Sequence, residues 1–86
     1  MRARRVPVHD EVVRDGESVV LIGRQVVRLS WIGTTLLELC DDWRGAEELA
    51  LGLTERYGEP PDGSDATAMT ESALLALHQQ GLVELA

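Results

Sequence analysis

Polar and apolar positions change their period at residue 30. Before it, the apolar residues are mostly β-branched and fall in short runs. Val6, Val8, Val12 and Val13 make the first run, residues 18–22 (SVVLI) the second and Gln25–Leu29 (QVVRL) the third. Asp15-Gly16 and Gly23-Arg24 divide them, and β-rich runs separated by such pairs read as hairpins. Pro7 has no backbone donor and marks an edge or irregular start, entered from an N-terminal tail. The pattern predicts a three-stranded antiparallel meander over residues 6–29, with residues 18–22 a continuous apolar strand.

From Ser30 the spacing becomes helical. Ser30 is an N-cap, its hydroxyl placed to accept a free amide of the first turn. Ile32, Thr35, Leu36, Leu39 and Cys40 then recur on one face, predicting a helix over residues 30–42. Asp41-Asp42 opposes the dipole at its C-terminal end, so the helix is expected to fray there, with Trp43 folding back over the core. A second helix is predicted over residues 46–57, with Ala46, Leu49, Ala50, Leu53 and Tyr57 as its stripe. Glu47 and Glu48 suit its first turn, and Gly58 ends it. Gly52 costs this helix about 1 kcal/mol against alanine and marks a place for close approach of a neighbouring helix. Residues 58–65 (GEPPDGSD) form a loop. A third helix is predicted over residues 67–80, with Thr70, Ala73, Leu74 and Leu77 inward and Gly81 as its stop. Leu82-Val83-Glu84-Leu85 is an extended tail that packs back. The architecture is α+β, and 86 residues make one domain.

Aromatics are only 3% of the chain and phenylalanine is absent, so the core is aliphatic. The net charge is −7, and all eight cationic side chains are arginine. Arg2, Arg4 and Arg5 sit at the N-terminus, and the helical half is acidic. The third helix has no cation, which argues against a phosphate-tracking element and a nucleic-acid partner. No apolar run is long enough for a signal peptide or a membrane span, so cytoplasmic residence and no membrane partner are expected. Cys40 has no partner cysteine, falls on the apolar helix face and lacks an activating base. His9 and His78 have no companions at metal-ligand spacing. Asp41-Asp42 and Glu47-Glu48 diverge by about 100° on a helix and make no paired acid/base site. Nothing calls for an enzyme, a metal or a cofactor.

Two features invite a partner. Val26-Val27-Arg28 lies in the last strand of the meander. If that strand is an edge, its free amides and carbonyls are a template for an added peptide strand. Arg28 and the short length would blunt it. The third helix carries more apolar surface than one core face needs. Met69 and Ala76 extend the core side, small Ala73 and Ala76 allow an extended backbone to come close, and Met69 adapts to varied side chains. Leu75 points nearly opposite to Leu77, either toward a partner or simply into water.

The order of these segments resembles the PqqD-like family over Val26 to Gly58 and Thr70 to Glu84. The resemblance is carried by Leu29-Ser30 leading into Ile32, Leu36, Leu37 and Leu39, then by Gly45-Ala46-Glu47-Glu48-Leu49-Ala50 and Glu55-Arg56-Tyr57-Gly58. Ala73-Leu74-Leu75, Leu77 and Gly81-Leu82-Val83-Glu84 complete it. It implies a winged helix-turn-helix-like domain of three strands followed by three helices. It also implies a stand-alone recognition element that binds the leader of a ribosomal precursor peptide and delivers it to a modifying enzyme or a leader peptidase, as in lasso-peptide and related pathways. The leader would add beside Gln25, Val26, Val27, Arg28 and Leu29, in a groove walled by Met69, Ala73 and Ala76, with Leu75 and Glu71 as further contacts. The competing readings are a winged-helix nucleic-acid binder and an acidic protein–protein adaptor. An exposed edge strand also permits a homodimer.

Overall fold

The computed structural model describes residues 1–8 and 10–86, Asp62 by its backbone alone; His9 lies outside the described residues. In chain order the elements are β1 (Arg2–Arg5), β2 (Asp10–Arg14), β3 (Glu17–Ile22), β4 (Gln25–Leu29), α1 (Trp31–Leu39), β5 (Arg44–Gly45), α2 (Ala46–Tyr57), α3 (Ala66–Gln79) and β6 (Val83–Leu85). A 3-10 turn at Pro61–Gly63 lies between α2 and α3. The expected antiparallel three-stranded sheet followed by three helices is present, in the order β2-β3-β4.

The hairpin turns follow from their residues. Asp15 and Gly16 both take positive φ, +52° and +79°, which matches the right-handed twist of the flanking strands. Gly23 does the same at +59° in the next turn. The register places Val20 opposite Glu11 on one side and Val27 on the other. Ser18, Val20 and Leu29 therefore face inward, and Val12, Val19, Leu21 and Val26 face water. Residues 18–22 were expected to be a continuous apolar strand, but only alternate side chains are covered, because the helices pack on one face of this sheet.

The first strand of the meander starts at Asp10, not at Val6. Pro7 cannot donate to a ladder, and the Val6 amide donates instead to the Leu82 carbonyl (2.9 Å). Residues 2–5 were expected to be a tail, yet β1 is the middle strand of a second antiparallel sheet, β5-β1-β6. Ala3 is its fully buried centre. The Arg2 and Ala86 amides and carbonyls bond reciprocally at 2.9 Å. Trp43 is half-buried, with the Arg2 and Arg4 guanidinium carbons 5.5 and 4.9 Å from its ring centroid. Arg4 also pairs with Glu84 at 2.6 Å. The N-terminal arginines thus fasten a sheet. Ala3→Leu, which overfills this seam, is expected to cost about 1–3 kcal/mol, read as a lower urea midpoint with an unchanged slope.

Ser30 caps α1 as expected, its hydroxyl accepting from the Gly33 amide at 3.4 Å. The helix ends at Leu39, short of the expected residue 42, where paired aspartates oppose its dipole. The third helix begins one residue earlier than expected because Asp65 caps it, accepting from the Thr67 and Ala68 amides at 2.9 and 3.3 Å. Gly81, at φ +78°, ends it, with the Leu82 amide bonded back to the Leu77 carbonyl (3.0 Å). A Cβ on Gly52 would lie 3.0 Å from a Leu39 methyl, so the glycine does permit close approach of α1. Leu36, Leu37, Leu49, Leu74, Leu77 and Leu82 meet Val20, Leu29 and Val83 in the aliphatic core.

Candidate recognition groove

The meander leaves β4 as an outer strand: β3 lies on one side, and no strand lies on the other among the described residues. Its side chains alternate. Leu29 is buried and Val27 half-buried against the helices, whereas Val26 and Arg28 are exposed, Val26 by 68%. Arg28 enters no ion pair among the described residues, so its charge is free for a ligand.

Two depressions meet α3. A shallow cleft brings Gln25, Val26, Val27 and Arg28 together with Gln79 and Gln80 at the C-terminal end of α3. A second, more enclosed cleft of about 250 Å³ lies between the start of α1, the end of α2 and the first half of α3. Met69 and Ala73 line it from α3, opposite Trp31, Ile32, Leu53 and Tyr57. At 100° per residue, Met69, Ala73, Ala76 and Gln80 fall within about 60° of one another, so one stripe of α3 links the two clefts. The two alanines at its middle, Ala73 and Ala76, keep the stripe low between Met69 and Gln80.

The sequence-derived residues thus divide between the two clefts. Gln25 to Arg28 line the first, with Leu29 buried beneath. Met69 and Ala73 line the second, and Ala76 is exposed on the connecting stripe. The structure does not bring Leu75 or Glu71 to this side of α3. Both lie roughly 100° or more away around the helix. Trp31, Ile32, Tyr57, Gln79 and Gln80 were not singled out from the sequence as groove residues. A usable signal existed: the chain has only three aromatic side chains, and two of them meet here. Trp31 and Tyr57 rings lie 4.3 Å apart, tilted by 59°. The Tyr57 hydroxyl is held by Thr35 at 2.7 Å, which fixes the ring at the cleft wall.

Cys40 is fully buried, and desolvation pushes its thiol up to about 11 from 9.0. The thiolate, which is the reactive form, is therefore suppressed. Native protein at pH 8 is expected to resist iodoacetamide, and urea-unfolded protein to react within minutes, as read by mass spectrometry. The same shift lowers stability as pH rises from 9 toward 11, because the unfolded chain loses this proton first. Among the described residues no group of three or more His, Cys, Asp or Glu is placed to hold a metal. His78 donates from Nδ1 to the Val83 carbonyl at 3.0 Å, a structural link. Among the described residues no helix is long and apolar enough to cross a membrane.

A family model described as "Coenzyme PQQ synthesis protein D (PqqD)" matches residues 17–83. That span runs from the start of β3 through all three helices to the first residue of β6. No curated protein and no solved structure matches the chain.

Proposed function

Because the chain belongs to the PqqD family of recognition elements, non-catalytic peptide-binding partners in the biosynthesis of ribosomally made, post-translationally modified peptides, we propose that it captures the leader segment of a precursor peptide by strand addition to β4. It then presents that peptide to a modifying enzyme or a leader peptidase. The observation that carries this reading is the open edge of β4 beside the cleft it shares with the end of α3. An edge strand supplies main-chain hydrogen bonds to any sequence, and the flanking depressions supply the selectivity.

In this reading Gln25 to Leu29 pair with the peptide backbone, and Arg28 meets a carboxylate or carbonyl of the bound segment. Met69, Ala73 and Ala76 form the facing wall. The absence of any Arg or Lys from α3 supports a peptide over a nucleic acid. The test is a fluorescence-anisotropy titration with the leader segment of a small precursor encoded beside this chain. Binding tighter than about 1 µM, or 8 kcal/mol, is expected. No binding to the leader together with tight binding to a neighbouring protein would replace this reading with an adaptor.

A further inference from the structure

One side of β4 is unpaired among the described residues, and a free edge is a template for any strand that fits it. We propose that, when no leader is bound, this edge is covered by β4 of a second copy of the chain, antiparallel and in a single register with the two-fold axis at Val27, and that the leader displaces it. The competition rests on the leader-binding reading; the self-pairing stands on the strand itself.

The main chain selects the register. Ile22 and Gln25 face each other across the Gly23-Arg24 turn, and such a pair is bonded carbonyl to amide. Opposed pairs in an antiparallel ladder alternate between bonded and unbonded. Gln25, Val27 and Leu29 therefore turn their amides and carbonyls to β3, and Val26 and Arg28 turn theirs to the open edge. A two-fold axis at Val27 sets Val26 of each copy opposite Arg28 of the other, and every outward amide and carbonyl of the two strands is then matched. An axis at Val26 instead sets Arg28 opposite Arg24, a like charge in a turn. An axis at Arg28 sets the two Arg28 side chains opposite each other and calls on the Ser30 carbonyl, which already accepts from the Thr34 amide at 2.9 Å. Like charges directly opposite are destabilising.

The side chains agree with that register. Val26 is the most exposed large apolar side chain among the described residues. Beside it on the outer face lies Arg28 of the second copy, whose methylene stem covers it. The two Val27 side chains meet on the helix side. The pair is weak, because five residues a side bury less than the roughly 1,200 Å² of a stable interface, and because each copy carries a net charge of −7. It is a cover that a tightly bound peptide removes. Salt screens the repulsion between copies, so self-association strengthens as salt is raised.

Sedimentation velocity of the intact chain over a concentration series is expected to show a monomer–dimer equilibrium with a Kd between about 10 µM and about 1 mM, as for a small interface, tightening as sodium chloride is raised. Val26→Arg, at an exposed position, sets two arginines opposite each other and is expected to weaken the dimer about tenfold. Adding Arg28→Glu to it restores the dimer, because the facing charges are then opposite in sign; damage to the fold would not be restored this way. Val27→Cys is expected to give a disulfide-linked dimer under mild oxidation, because an unbonded pair places its Cα atoms about 4.5 Å apart. Val26→Cys and Arg28→Cys are expected to link far less. The leader segment of the neighbouring precursor, at saturating concentration, is expected to give a one-to-one complex and no dimer. A monomer at every concentration, or a dimer that ignores Val26→Arg or links better at 26 or 28, overturns the self-pairing and leaves leader addition standing. A dimer linked at 27 that still binds leader overturns the competition and moves the leader off β4. A leader that does not bind at all overturns the functional reading, while sedimentation and cross-linking still decide the pairing.

Discussion

Leu36→Ala is expected to lower folding stability by about 3–5 kcal/mol, and Leu74→Ala by about 2–5. Both side chains are fully buried, on α1 and α3, in the cluster that joins the meander to the helices. Removing three methylene-sized groups there forfeits their transfer energy and leaves a cavity. Neighbours such as Val20 and Leu82, themselves fully buried, have little freedom to fill it. A chain of this length has roughly 4–13 kcal/mol in all, so either variant approaches the unfolding threshold at 37 °C. Urea denaturation followed by circular dichroism measures this directly. Leu75→Ala is the control: its side chain is 46% exposed, and the expected loss is below about 0.5 kcal/mol. A loss under 1 kcal/mol at Leu36 would show that the core is centred elsewhere.

The second large effect is on peptide affinity. Ala76→Trp is expected to weaken leader binding at least tenfold, or about 1.4 kcal/mol, with little change in thermal stability. Ala76 is exposed on the α3 stripe that joins the two clefts. An indole there faces solvent in the free protein and occupies the trough a peptide needs. Arg28→Glu is expected to act through charge on the β4 edge, where Arg28 has no intramolecular ion pair among the described residues. Its effect should shrink as salt is raised, whereas the steric effect of Ala76→Trp should not. Anisotropy titrations at two ionic strengths separate the two. Unchanged affinity for Ala76→Trp would move the peptide off α3.

The balance between these sets of residues explains how so small a chain keeps an open edge. Its aliphatic core uses one face of the meander, and its second sheet ties the N-terminal strand to the C-terminus through β1 and β6. The edge of β4 is unpaired among the described residues, and its short length and charged residue limit unwanted pairing.

Local chemistry decided a good part of this protein before any packing was known. Asp15-Gly16 and Gly23-Arg24 specified two hairpins, Ser30 a helix start, and Gly58 and Gly81 two helix ends, because these residues act on the backbone within a few positions of themselves. The surplus apolar surface of α3 was legible from its period, whereas the edge position of Gln25–Leu29 stayed conditional until the strand order was known. What lay beyond the sequence was anything requiring distant segments to meet. β1 pairs with strands some forty and eighty positions away, and four residues, RARR, carry no periodic signal of their own. Which face of β3 is buried also escaped the pattern, since Val20 and Ile22 on one face and Val19 and Leu21 on the other are equally apolar, and only the seating of the helices chooses between them. The apolar cleft is the clearest case. Trp31, Tyr57 and Met69 come from three different helices, Trp31 and Tyr57 read locally as ordinary flank and stripe residues, and the space among the three exists only once the helices have packed.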